Sequence, residues 1–245
     1  MDTLKNTSIK LYKADERGFA NHGWLQAAHS FSFANYYDPE KIQFGALRVL
    51  NDDIIAPGMG FGTHPHDNME IITIPLSGVL KHRDSMHNEW QQVLPGEVQV
   101  MSAGTGVQHS EINGSNKEYL SLFQIWIIPN KRGVSPRYGQ KSFSPENRKE
   151  KLQVLVSSMD DPIEGSLQIH QDAKISRIDL GNGKELKYEI QGSSHGVYAM
   201  VIDGSAKIAD QPLNSRDAIG VQNAESFTVK SLEDSSFLFI EVPMH

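Results

Sequence analysis

A chain of 245 residues is long enough for one large or two modest β domains, and its lack of cysteine excludes disulfides, thiolate zinc sites and a cysteine nucleophile. Any bound metal must then be held by histidine and carboxylate. A formal charge of -7 argues against a direct nucleic-acid partner, and no apolar run approaches the roughly 18 residues of a membrane-spanning helix.

The first residues, MDTLKNTSIKLYKADERG, carry no apolar stretch of signal-peptide type, so no membrane partner is expected and the chain reads as cytoplasmic. From there onward, short runs rich in β-branched and aromatic side chains recur between turn signals. They cover residues 44–50, 69–76, 97–101, 120–128, 152–157, 175–180, 197–202, 227–229 and 237–242. Pro57-Gly58, Ser77-Gly78, Pro95-Gly96, Asn113-Gly114, Asn182-Gly183 and Asp203-Gly204 supply the turns. Short strands at this spacing predict an all-β fold of sandwich or barrel type. Apolar periodicity of the helical kind is scarce, so only short helices are expected, such as one around residues 144–150 after its Ser144-Pro145 start.

The composition shifts near Pro129, and from there to about Lys149 the chain is polar and bears glycine and proline. This places a first barrel over residues 1–130, a linker over 131–150 and a second barrel over 151–245. The basic residues Lys131, Arg132, Arg137, Lys141, Arg148, Lys149 and Lys151 fall at the linker, where solvated connecting chain is the ordinary account and an anion contact the alternative.

Two dyads carry the chemistry. His64-Pro65-His66 lies in GFGTHPHDNMEI, and His109-Ser110-Glu111 lies in GTGVQHSEIN. In an extended strand positions i and i+2 share a face, so each dyad can aim two donors into one cavity. Three imidazoles and a carboxylate suit a divalent first-row metal, and four protein ligands around an octahedral ion leave two positions for other molecules. If the strand continues past the first dyad, Glu70 shares its face and competes with Glu111 for the carboxylate position. Phe61, Met69 and Met101 flank the dyads and are candidates for an apolar mouth, with core packing as the default for each. Trp126 is read as barrel filling on the same grounds. His22, His82, His87, His170, His195 and His245 are read as surface or core residues. The second half has no counterpart of either dyad.

These motifs resemble those of the cupin superfamily. Gly58, His64, His66, Glu70 and Gly78 are similar to the first cupin motif, with the last gap one residue longer than usual. Gly96, Gly104, Gly106, His109 and Asn113 are similar to the second, with Gly104 where proline is usual. More specifically the chain resembles the pirin family, the bicupins whose metal carboxylate comes from a His-x-Glu pair. Ala14-Asp15-Glu16-Arg17-Gly18, Gly23-Trp24-Leu25, His29-Ser30-Phe31-Ser32-Phe33, Tyr37-Asp38-Pro39, Gln124-Ile125-Trp126-Ile127 and Pro136-Arg137-Tyr138 extend the likeness over nearly the full length. It is similar to bacterial pirins described as quercetin 2,3-dioxygenases.

The resemblance implies two jelly-roll-like cupin barrels, the second without metal ligands. It implies His64, His66, His109 and Glu111 as metal ligands, and it moves Glu70 to a supporting or pocket-wall role. Fe(II) is the expected ion, since open positions on a His/carboxylate-bound iron permit oxygen chemistry, with Ni, Co, Cu, Mn or Zn as competitors. The implied reaction is opening of the heterocyclic ring of a flavonol such as quercetin by dioxygen with release of carbon monoxide, Glu111 acting as base. The family also contains an iron-dependent, protein-binding coregulator, so a non-enzymatic regulator with a protein partner is the alternative. A metal-bound cupin isomerase or a catalytically silent stress protein is a third.

Overall fold

The computed structural model describes residues 7–192 and 194–244, which leaves His245 outside the described residues. Two pairs of sheets account for nearly all of the chain. In the first half a seven-stranded sheet runs in the order Arg137–Ser142, Glu97–Ser102, Glu70–Ser77, Leu120–Ile127, Leu47–Ile55, Leu25–His29, Gly18–Asn21. Opposite it stands a four-stranded sheet in the order Gly60–His66, Val107–Asn113, Leu80–Asp84, Gln91–Val93.

The second half repeats the plan. Its large sheet runs Ser8–Tyr12, Ala218–Gln222, His195–Asp203, Ser235–Pro243, Lys174–Leu180, Gln153–Ser158, Leu167–Ile169, and its small sheet runs Glu185–Glu189, Ser226–Ser231, Ser205–Ile208, Gln211–Asn214. This is the all-β architecture of two cupin domains. Tight turns join the strands, and at Gly78 the backbone has φ +81° while a side chain there would meet the Tyr119 carbonyl at 2.6 Å. Only glycine meets both demands without strain.

The main core lies between the two large sheets. Leu47, Ile72, Phe123 and Ile125 of the first pack with Tyr198, Met200, Leu238 and Ile240 of the second. Each such side chain, fully buried, contributes about 1.5–3 kcal/mol. The two-residue period of the strands then decides what faces the interior of the first half: Thr73 and Gln124 point away from this core, between Ile72 and Ile74 and between Phe123 and Ile125. Strand Leu120–Ile127 is covered on both faces, which is why it reads as an almost continuous apolar run.

Several boundaries differ from the sequence reading. The first run begins as a strand at Leu47 rather than residue 44, because Phe44 and Leu47 bridge across a turn in which Gly45 has φ +52°. The short helix is a 3-10 turn, Pro145–Arg148, with Ser144 at its N-cap position. The halves also exchange edges. Ser8–Tyr12 pairs with Ala218–Gln222 in the second half, and Arg137–Ser142, inside the stretch read as linker, pairs with Glu97–Ser102 in the first. Residues 131–150 are therefore no free tether.

Several cations of that stretch have local partners as well. Lys131 bonds Asp160 at 2.7 Å, Arg137 donates to the Gln168 carbonyl at 2.6 Å, and Arg148 meets Asp179 at 2.8 Å. Among the described residues no helix is long and apolar enough to cross a membrane.

Candidate metal centre

Strand Gly60–His66 pairs antiparallel with Val107–Asn113, placing His64 opposite His109 and His66 opposite Val107. The approach is close at Gly60, where any side chain would overlap the Glu111 carbonyl and the Ile112 backbone. Glycine at that position lets the two dyad strands meet. The register shifts between His109 and Glu111, a bulge of the kind that re-aims side chains beside functional sites.

The three imidazoles converge. His109 Nε2 lies 2.8 Å from His64 Nε2 and 3.0 Å from His66 Nε2. His64 Nδ1 lies 2.8 Å from the Gly62 carbonyl, so in the neutral ring Nδ1–H donates and Nε2 keeps its lone pair toward the centre. Burial, reinforced by the neighbouring rings, pushes His66 and His109 down to about 3, so both are neutral at physiological pH. Nitrogen lone pairs crowded this closely do not satisfy one another, whereas one divalent cation accepts all three. The donor set thus fits a first-row metal ion.

Glu111 lines the same cavity but stands apart from the histidine cluster. It is 2 % exposed, with Oε2 accepting from Gln124 Nε2 at 2.8 Å and Oε1 from Thr73 Oγ1 at 3.4 Å. Burial raises its carboxyl above the ordinary range, and the nearby His82 and His64 rings and these two hydrogen bonds work against that rise.

Glu70 goes elsewhere. The strand does not continue from the first dyad: Asn68 has φ +43°, and Glu70 opens a strand of the large sheet instead. Its side chain is on the face of Ile72, and Oε2 accepts from Ser102 Oγ at 2.6 Å. The supporting role expected for Glu70 at the histidines is therefore corrected. Met101 and Met69 are corrected too, since they pack in a cluster with Ile71, Ala103 and Val107 and do not line the cavity. Phe61 does line it.

The cavity encloses about 490 Å³, within the range of small-molecule sites. Its apolar walls are Trp24, Phe33, Phe61 and Trp126, with the Trp126 ring edge-on to His66 at 4.9 Å and to Phe33 at 5.3 Å. A larger hollow of about 760 Å³ lies beside Arg148 and Arg177, away from the histidines.

Polar residues cross the inner face of the large sheet in a single row. His29 is paired with Asn51, Asn51 with Gln124, Gln124 with Thr73, Thr73 with Gln99, and Gln99 with Gln140. His29 Nδ1 bonds Asn51 Oδ1 at 2.9 Å, and Thr73 Oγ1 bonds Gln124 Oε1 at 3.0 Å. Glu111 is held from the middle of this row. Asp53, two residues along from Asn51, also lines the cavity, and burial, with Asp52 and Glu111 adding to it, pushes its carboxyl up to about 8.

His82, read from sequence as an ordinary core or surface residue, is fully buried behind His109 at a ring separation of 5.3 Å and stacks on Tyr138 at 5.0 Å. Only its place after the buried Leu80 in an alternating strand hinted at an inward side chain.

Comparison with known proteins agrees with this geometry. The Pirin family model matches residues 12–127, and that of the quercetinase C-terminal cupin domain matches residues 154–242. A relative named quercetin 2,3-dioxygenase in Escherichia coli is 44% identical over 235 residues, covering 96% of this chain and 99% of its own. The chain belongs to the pirin family. Another relative of this pirin, a putative quercetin 2,3-dioxygenase of Pseudomonas aeruginosa, is 43% identical over 93% of this chain and 97% of its own. The crystal structure of the bacterial pirin YhhW of Escherichia coli, in complex with nickel(II), superposes with a TM-score of 0.91 at 42% identity, covering 97% of this pirin and all of that chain.

Proposed function

We propose that this pirin is a metal-dependent dioxygenase that opens the heterocyclic ring of a flavonol such as quercetin, consuming dioxygen and releasing carbon monoxide. The observation that carries the reading is the convergence of three imidazole nitrogens beside an aromatic cavity that the His64 and His66 rings line. Relatives named quercetin 2,3-dioxygenase and putative quercetin 2,3-dioxygenase, at 44% and 43% identity over nearly the whole chain, support it.

His64, His66 and His109 would hold the ion, with Glu111 as the fourth ligand and Fe(II) as the working metal. A bound divalent ion supplies Lewis acidity, which lowers the pKa of a substrate hydroxyl delivered to it. The protein's own share is orientation, exclusion of water and proton handling. Trp126, Phe33 and Phe61 offer ring faces and edges to a planar substrate. Glu111, kept in place by Gln124 and Thr73, receives the proton of the substrate's 3-hydroxyl when that group comes within hydrogen-bond reach. A cavity of small-molecule size with aromatic walls beside the histidines favours turnover over the protein-binding reading. A cysteine-free chain suits a reducing compartment, and the cytoplasm is part of the proposal.

The test uses protein stripped of metal and reloaded separately with Fe(II), Ni, Co, Cu, Mn or Zn. Loss of flavonol absorbance, oxygen uptake and carbon monoxide are followed together, with an anaerobic control. The expected result is matched consumption of flavonol and dioxygen with carbon monoxide in equal amount. No metal-dependent loss of flavonol with any ion refutes the proposal.

A further inference from the structure

Resting on this reading, we infer that Asp53 is a substrate-positioning residue whose carboxyl group hydrogen-bonds a phenolic hydroxyl other than the one delivered to the histidine centre, selecting polyhydroxylated flavonols.

The sequence places two aspartates side by side, and the strand separates their roles. In Leu47–Ile55 successive side chains alternate, so Asp52 and Asp53 face opposite sides of the sheet. Asp52 meets Arg216 at 3.1 Å and Arg17 at 3.4 Å. Asp53 is turned inward, is 3 % exposed, and lines the cavity that His64, His66 and Glu111 also line.

Its surroundings leave it unpaired. The residues opposite Asp53 in the neighbouring strands are Ala27 and Leu122, neither with a polar side chain. Oδ1 has no hydrogen-bond partner among the described residues. The other polar groups of this wall are engaged, Asn51 by His29 and Glu111 by Gln124. A buried carboxyl without a partner is costly, and one kept at a cavity wall calls for a ligand or an ordered water to complete it.

The cavity's shape says which part of a substrate passes there. A second hollow of about 500 Å³ shares Trp24, Ala27, Phe33 and Phe61 with the metal cavity. Ala27, the cross-strand neighbour of Asp53, lines both. A multi-ring substrate held at the histidines and reaching toward the outer hollow brings its remaining hydroxyls past Asp53.

The experiment compares quercetin with 3-hydroxyflavone, which keeps the 3-hydroxyl and 4-carbonyl but lacks the other hydroxyls. Metal-loaded wild type, Asp53→Ala and Asp53→Asn are assayed for kcat and KM on both. Anaerobic binding is followed by tryptophan fluorescence, Trp24 and Trp126 being in the wall. Asp53→Ala is expected to lose about tenfold in kcat/KM for quercetin, mostly through KM, with 3-hydroxyflavone unchanged and metal content intact. Asp53→Asn, which keeps hydrogen-bonding atoms, recovers part of the preference.

Equal losses for both flavonols, or no loss for either, overturn the inference while leaving the dioxygenase reading in place. Failure of wild type to turn over or bind either flavonol overturns both. If Asp53→Ala does not fold, Asp53→Asn decides: an altered quercetin-to-3-hydroxyflavone ratio supports the inference and an unaltered one overturns it.

Discussion

Replacing Gln124 with leucine removes the shorter of the two hydrogen bonds that side chains give Glu111, at 2.8 Å, and leaves Thr73 at 3.4 Å. Leucine nearly keeps the volume, so the loss is the donor to Glu111 together with the acceptor that Thr73 uses at 3.0 Å, and the freed Thr73 hydroxyl keeps Glu111 as a partner. A hydrogen bond to a charged group contributes about 1.5–3 kcal/mol. For a chain of this size each kcal/mol corresponds to about 2–4 °C of melting temperature. The variant is therefore expected to melt about 3–12 °C lower in metal-free form, where no ion holds Glu111. The pH dependence has a definite sign. Burial already raises the Glu111 carboxyl, and the Gln124 bond opposes that rise, so its loss raises the group further. For an acid whose folded pKa exceeds its unfolded value of 4.5, stability is fully present below 4.5 and is lost as pH rises through the folded pKa. The deficit of Gln124→Leu should thus be smallest in acid, where the carboxyl is protonated in both states, and grow as pH rises above 4.5, read by circular-dichroism melts over that range. A deficit that is constant with pH, or largest in acid, refutes the account of Glu111 as a carboxyl held from the polar row.

Gly60→Ala forces a methyl group into the Glu111 carbonyl and the Ile112 backbone. It should cost about 1–3 kcal/mol in denaturant unfolding and lower bound metal, and unchanged values would show that the strands separate freely. Glu70→Gln leaves the histidine cluster untouched, so metal content and flavonol turnover should equal wild type, and loss of metal on analysis of the purified variant would contradict the side assigned to Glu70. The imidazoles of His66 and His109 fall from 6.5 to about 3 on burial, so the stability they contribute is present above 6.5 and is lost as pH drops below it. His66→Gln should accordingly flatten the acid side of the melting curve of metal-free protein between about pH 7 and pH 4, and equal slopes in the two proteins would count against neutral buried rings.

Much of the fold was legible because its signals are local. Alternating apolar runs and glycine-bearing turns such as Ser77-Gly78 are written in adjacent residues, and they predict strands wherever they occur. The first run read from the sequence starts three residues before its strand because the backbone turn at Gly45 depends on the Phe44 to Leu47 bridge. The linker was read from composition, yet Arg137–Ser142 is a strand because an edge of the first large sheet lay open to it. Polar edge strands look like connecting chain until their partner is known.

The candidate site divides along the same line. The sequence by itself indicated the donor chemistry: without cysteine, metal binding falls to histidine and carboxylate, the His-x-His and His-x-Glu dyads offer a compact set of such ligands, and the period of two keeps each dyad on one face. Tertiary structure alone decided which other residues join them. A positive φ at Asn68 turned Glu70 to the far side of the sheet, and packing with Ile71 and Val107 took Met101 out of the cavity wall. Strand register brought Asn51, Gln124 and Thr73 into line from separate parts of the chain and set Asp53 beside them. None of these has a motif, because what selects them is the hydrogen-bonded pairing of strands distant in sequence, and a shift of one residue in that pairing would turn every one of them away from the cavity.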